Sequence, residues 1–182
     1  ASYFSVAFAA GTATIPSYQL NGGTGSRTVY ACFADDAGNY STRTSATIYL
    51  DQTSPVNAGL QINSGALYAT TTSVTLANIA GSDDQAGQMY MQLSNCATFA
   101  ASGCSTTAWL TFAATYPSNP WSLPSGDGMK GVYLRLRDFA GNIGPAALAS
   151  ITLDGTPPAG AAVSVSTNPT KSQTVNVALA AS

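Results

Sequence analysis

The sequence predicts an all-β chain: antiparallel β-sandwich units in tandem, about 103 residues each. Three observations predict it. Residues 16–55 align with 119–158 without a gap, so that Asp51 recurs as Asp154, an offset of 103. Short stretches alternate apolar and polar residues with period two between clusters of Gly, Asn, Asp and Pro. No segment carries a helical period.

The repeat places Leu20 with Leu123, Val29-Tyr30 with Val132-Tyr133, Ala37-Gly38-Asn39 with Ala140-Gly141-Asn142, and Leu50-Asp51 with Leu153-Asp154. A fixed period marks an array of structural units, and this period suits a small sandwich. The boundaries follow: residues 1–50 read as the C-terminal part of one unit, 51–154 as a complete unit, and 155–182 as the N-terminal strands of the next. A weaker echo relates 59–77 to 161–179 once two residues are dropped. The end pieces are expected to be completed by material beyond these residues, either covalent neighbours or further copies in a polymer. The pieces together omit the counterpart of "SDDQAGQMYMQLSNCATFAASGC", which favours covalent neighbours.

Within the complete unit the strands are read in order. "GLQI" and "SVTLA" open it. "QMYMQLS" sets Met89, Met91 and Leu93 against Gln88, Tyr90 and Gln92, and "VYLRLR" sets Val132, Leu134 and Leu136 against Tyr133, Arg135 and Arg137. Such alternation sends one set into a core and the other outward. "AWLTF" and "ASITL" supply further strands, and "AAVSVS" and "TVNVALA" open the next unit. The "DFAGN" stretch suits a tight turn, because Gly141 and Asn142 can take positive φ at low cost and an Asn or Asp side chain such as Asp138 can bond nearby backbone; Asp35, Gly38 and Asn39 are its counterparts in the earlier copy. "LDQTSP" and "LDGTPP" read as linkers ended by Pro55 and Pro158, because proline cannot extend a ladder.

Composition excludes several functions. Only 8% of residues are charged, all eight acids are Asp, and there is no His. Histidine-based triads therefore cannot be built, and the paired aspartates lack a base or pocket residue to work with. A net charge of −2 with six scattered cations argues against nucleic acid. No apolar run is long enough to span a bilayer.

Cys96 and Cys104 bracket a small polar loop without the second CxxC of a metal site. They read as a loop-stapling disulfide rather than a redox or metal pair, which implies an oxidising compartment. Cys32 aligns with Arg135 at an outward position. Such an odd thiol either crosslinks to another molecule or stays free or capped.

The run "WSLPSGDGMKGVYLRLRDFAGNIG" followed by "ITLDGTPP" resembles the tandem immunoglobulin-like repeats of very large bacterial surface and secreted adhesin-type proteins. Trp121 to Gly126, Val132 to Asn142 and Leu153 to Pro158 carry the resemblance most sharply. It implies an immunoglobulin-like sandwich, a bacterial cell-surface or extracellular location, and non-catalytic work as a spacer, stalk, surface fibre or adhesive array. Neighbouring copies of the same repeat are the implied partners, with a surface glycan or protein as ligand.

Two binding readings stand beside it. Linker-proximal acids hold Ca²⁺ in several extracellular arrays, and Asp35-Asp36, Asp51, Asp83-Asp84, Asp138 and Asp154 are the oxygen donors here. None has EF-hand spacing, and turn hydrogen bonding is the simpler use. Trp109, Tyr116 and Trp121 could form a sugar platform, although Trp121 aligns with Tyr18 and a recurring aromatic suits a core. Asn39-Tyr40-Ser41 matches a glycosylation sequon but sits in the turn. The second function class is a glycan-binding accessory module of a secreted hydrolase.

Overall fold

The structure, a computed structural model, describes residues 6–7, 11–85, 87–100, 102–118, 120–165, 171 and 173–181. The chain divides into two compact units, Ala1–Ser54 and Pro55–Ser182.

The first unit holds one hairpin. β1 (Gly25–Ala31) and β2 (Thr44–Leu50) are rich in Thr, Val, Ile and Tyr, residues that fit a pleated surface. They pair antiparallel from Gly25 opposite Leu50 to Ala31 opposite Thr44. Thr28 and Thr47 hydroxyls meet across the ladder at 3.2 Å.

The second unit is the sandwich. Its strands are β3 (Val56–Ile62), β4 (Tyr68–Ala69), β5 (Ser73–Val74), β6 (Leu76–Ser82), β7 (Tyr90–Ser94), β8 (Leu110–Thr111), β9 (Trp121–Ser122), β10 (Gly128–Arg137) and β11 (Ala147–Leu153). One sheet runs β4-β11-β10-β7-β8; opposite it lie the pairs β3-β6 and β5-β9. With β5 and β6 as one interrupted strand, β3, β5/β6 and β9 occupy the places of strands A, B and E. β7, β10 and β11 occupy those of C, F and G, which is the immunoglobulin-like order. Pairing is antiparallel except where Tyr68 and Ala69 run parallel to β11 at the sheet edge.

The period of two along β10 is the period of its burial. Val132, Leu134 and Leu136 are fully buried, while Tyr133, Arg135 and Arg137 face outward half-covered. Their opposite numbers across the sandwich include Ile62, Val74 and Leu76. Each such buried aliphatic side chain contributes about 1.5–3 kcal/mol. β7 departs from simple alternation, because Gln92 and Ser94 are buried along with Met91 and Leu93. The 105–109 segment covers them, with Thr107 bonded to both Leu93 and Gln92. The expected "AWLTF" strand shrinks to two residues for the same reason: its first half leaves the ladder to cover β7.

β12 (Ala162–Val165) and β13 (Val177–Ala180) form a further antiparallel hairpin. It pairs Val165 with Val177 and Ser164 with Ala178, as β3 and β6 pair Ile62 with Leu76 and Gln61 with Ala77. Among the described residues no helix is long and apolar enough to cross a membrane.

Candidate functional site

The two turns of the repeat are built alike. In the first unit the Asp35 carboxylate accepts the Asn39 N–H and the Asn39 side-chain amide, both at 2.8 Å, and the Asp35 N–H donates to the Asn39 carbonyl at 3.0 Å. In the second, the Asp138 carboxylate accepts the N–H groups of Gly141 at 2.7 Å and Asn142 at 2.8 Å, with the Asn142 side-chain amide also at 2.8 Å. Gly38 and Gly141 take the left-handed backbone, at φ 84° and 103°. Asn39 and Asn142 do not. Their contribution is the side-chain amide. The hydrogen bonds from Asn39 hold the Asp35 carboxyl below the usual aspartate range, the side-chain bond having the larger effect.

The linkers repeat as well. Asp51 accepts the Thr53 N–H at 3.0 Å, and Asp154 accepts the Thr156 N–H at 3.3 Å. A clamp the sequence reading missed closes each hairpin base. Thr24 accepts the Gln52 N–H at 3.0 Å and meets the Thr53 hydroxyl at 3.1 Å. In the second unit Asp127 accepts the Gly155 N–H at 2.8 Å and the Thr156 hydroxyl. These bonds, the Thr156 hydroxyl first, lower the Asp127 pKa. Thr and Asp look unrelated in an alignment, yet both place an acceptor oxygen at the same spot. Pro55 is fully buried, whereas Pro158 is exposed.

Of the candidate calcium ligands, Asp35 and Asp138 have both carboxylate oxygens accepting protein donors in their own turns, and Asp51 and Asp154 each have one. Asp83 brings a carboxylate oxygen within 4.8 Å of one of Asp138.

Cys96 and Cys104 form a disulfide, with Cα atoms 5.9 Å apart. Cys32 is an exposed free thiol. Of the three rings weighed as a sugar platform, Trp121 takes the core position instead. Trp121 is buried, bonds Asn95 through its indole N–H at 2.8 Å, and meets Tyr116 edge to face at 5.4 Å. Trp109 lies apart, half-exposed, among the arginines.

That last cluster is the most structured polar feature of the outer sheet face. Arg135 donates to the Gln92 side-chain oxygen through Nε at 2.9 Å and Nη2 at 2.7 Å, while Gln92 donates to the Thr107 carbonyl at 2.8 Å. The Arg135 guanidinium stands 4.3 Å over the Phe99 ring and 5.2 Å from Trp109. Arg137 stands 4.5 Å over Trp109 and 5.1 Å over Tyr90. Sequence alternation placed both arginines outward but did not join them to Tyr90, Gln92, Phe99 and Trp109. The available signal was two cations two residues apart in a chain with six.

No protein-family model matches the chain, and no curated protein matches it. Three solved chains do. One is described as a crystal structure of a tetra-tandem repeat in the extending region of a large adhesion protein, 24% identical with a TM-score of 0.42. The match covers 87% of this chain and 39% of that one, so the chain spans well under half of that structure's length.

Proposed function

We propose that this chain belongs to an extracellular structural and adhesive array of immunoglobulin-like repeats, a stalk or surface fibre that works without catalysis. One observation carries the reading: an offset of 103 residues reproduces not only sequence but the hydrogen-bonded hairpin itself. Gly25 opposite Leu50 becomes Gly128 opposite Leu153, and the bridge from Ala34 to Tyr40 becomes Arg137 to Ile143. Units that recur with their linker chemistry intact suit a string in which each contacts its neighbours, giving reach and mechanical continuity. The Cys96–Cys104 disulfide supports an oxidising, extracellular setting.

The test is the native polypeptide on its source cells, released by surface proteolysis and measured by intact mass. The array reading expects an extracellular chain with many further copies at this period. A catalytic domain in the same polypeptide would instead favour a glycan-binding accessory module, a reading that draws on the arginine–aromatic face. Calcium at the linker-proximal aspartates is a separate proposal. Titration heat and a melting shift with EDTA would support it, and the absence of both would remove it.

A further inference from the structure

We propose that the outward face of β7 and β10 binds an acidic glycan, with a sugar carboxylate on Arg137 and Arg135 and the sugar's apolar face against Trp109 and Tyr90.

Charge makes the first argument. The chain has only six cations, and two of them alternate on one face of β10, with backbones roughly 7 Å apart. Two like charges so placed repel one another. Among the described residues no carboxylate answers either, and their contacts are Gln92, Phe99, Trp109 and Tyr90. Stacking over a ring holds a guanidinium without using its N–H groups. Arg137 accordingly has no hydrogen-bond acceptor among the described residues. Its planar fork remains free to take a carboxylate with two parallel bonds.

Preorganisation makes the second. Gln92 is buried and fixed by Thr107, and it fixes Arg135 in turn. Phe99 reaches Arg135 from the loop closed by Cys96–Cys104, in a left-handed backbone at φ 57° that a bulky residue rarely adopts. Residues held in such conformations cluster at binding sites.

The hairpin does not need the cluster. The first copy carries Cys32 and Ala34 where the second carries Arg135 and Arg137, yet both hairpins keep the same register. The arginines are therefore an addition to the scaffold. The free guanidinium donors of Arg137 beside half-covered aromatic rings match a carboxylate-bearing polysaccharide. Two cations on a chain of net charge −2 are too few to track a phosphate backbone.

This inference takes up the adhesive part of the reading above. Its failure would leave the repeat array standing, because the array rests on the recurring hairpin and linker.

The test is calorimetry on the full chain at low salt with an oligouronate, a sulfated oligosaccharide, a neutral glucan and a single-stranded oligonucleotide. The oligouronate is expected to bind, to shift the Trp109 indole signal in NMR spectra, and to be weakened by added salt. Arg137→Gln should weaken it at least about tenfold, as loss of a charge-assisted pair does, and Arg137→Lys should recover part of the loss. Lys130→Gln, whose ammonium bonds the Ser125 carbonyl away from the cluster, should bind like the parent chain. The indole shift on the unaltered chain keeps the test independent of how the variants fold. The proposal is overturned by no heat and no indole shift at millimolar oligouronate, by equal binding of Arg137→Gln, or by preference for the sulfated sugar, the glucan or the oligonucleotide.

Discussion

The β1–β2 and β10–β11 hairpins have one sequence pattern, one register and one turn chemistry, but opposite relations to water. Ile151 is 2% exposed and its counterpart Ile48 is 55% exposed; Leu136 is 0% exposed and Phe33 is 52%. Trp121 and Tyr18 diverge in the same way, at 5% and 41%. In the second unit β3 lies against β10 and β11. In the first, the hairpin is the only sheet among the described residues. Register is therefore set by the hairpin's own hydrogen bonds and turn, and burial by whether a second sheet is present. Trp121–Ser122 forms a strand because β5 is there to pair with it, whereas Tyr18 and Gln19 form none.

The largest expected effect tests that contrast directly. Leu136→Ala should cost the second unit about 2–5 kcal/mol, as buried leucine truncations do. Phe33→Ala should stay within about 0.5 kcal/mol. Denaturant unfolding followed through the buried Trp121 reads the first, and amide exchange of β1 and β2 the second; equal losses would break the comparison.

Removing the loop staple comes next. Cys96→Ser with Cys104→Ser should cost the second unit about 2.5 kcal/mol by the chain-entropy account for so short a loop. The β1–β2 amide signals should not move. A first hairpin that melted with the staple would show that the two units do not respond separately.

A subtler difference lies after the turns, where the first unit has Ser41 and the second Gly144. A Cβ on Gly144 would run into the carbonyl oxygen of Pro55, which is backbone and cannot swing aside. Gly144→Ser should therefore cost about 1–3 kcal/mol. Ser41→Gly should lose only the hydroxyl that accepts the Phe33 N–H at 2.9 Å. Thermal melts of the two variants compare them, and a harmless Gly144→Ser would mean that the β3 entry can shift.

The smallest effect separates the two clamps by pH. Asp127 has a lowered folded pKa, so its contribution is complete above the ordinary aspartate range near pH 4 and is lost as pH falls through the lowered value. Thr24 does not titrate. The Gly155 amide should therefore move in an acid titration with a midpoint below the ordinary range, while the Gln52 amide follows no such clamp transition. Asp127→Thr should abolish the Gly155 transition, and its persistence would assign the titration elsewhere.

Much of this was legible in the residues. The alternation in "VYLRLR" named the buried face of β10, and the gapless repeat marked two copies of the same turn and linker. Gly38 and Gly141 announced their turns because only that residue type takes the left-handed backbone at no steric cost. What escaped was whatever depends on residues far apart in sequence. Arg135 meets Gln92, Phe99 and Trp109 only after β7, the disulfide loop and the 105–109 segment have been folded across one face. Trp109 and Trp121 looked equivalent as aromatics, and the sandwich sent one to its surface and the other to its core. The shortening of "AWLTF" had the same origin, since covering β7 competed with extending β8.

By itself the sequence determined the repeat offset, the strand periods and the glycine turns, because each is settled by neighbours along the chain. The tertiary structure alone decided that Trp109 lies near the surface and Trp121 in the core, and which side chains gather around the two arginines. Those outcomes depend on a second layer arriving from distant segments, and no local pattern records its arrival.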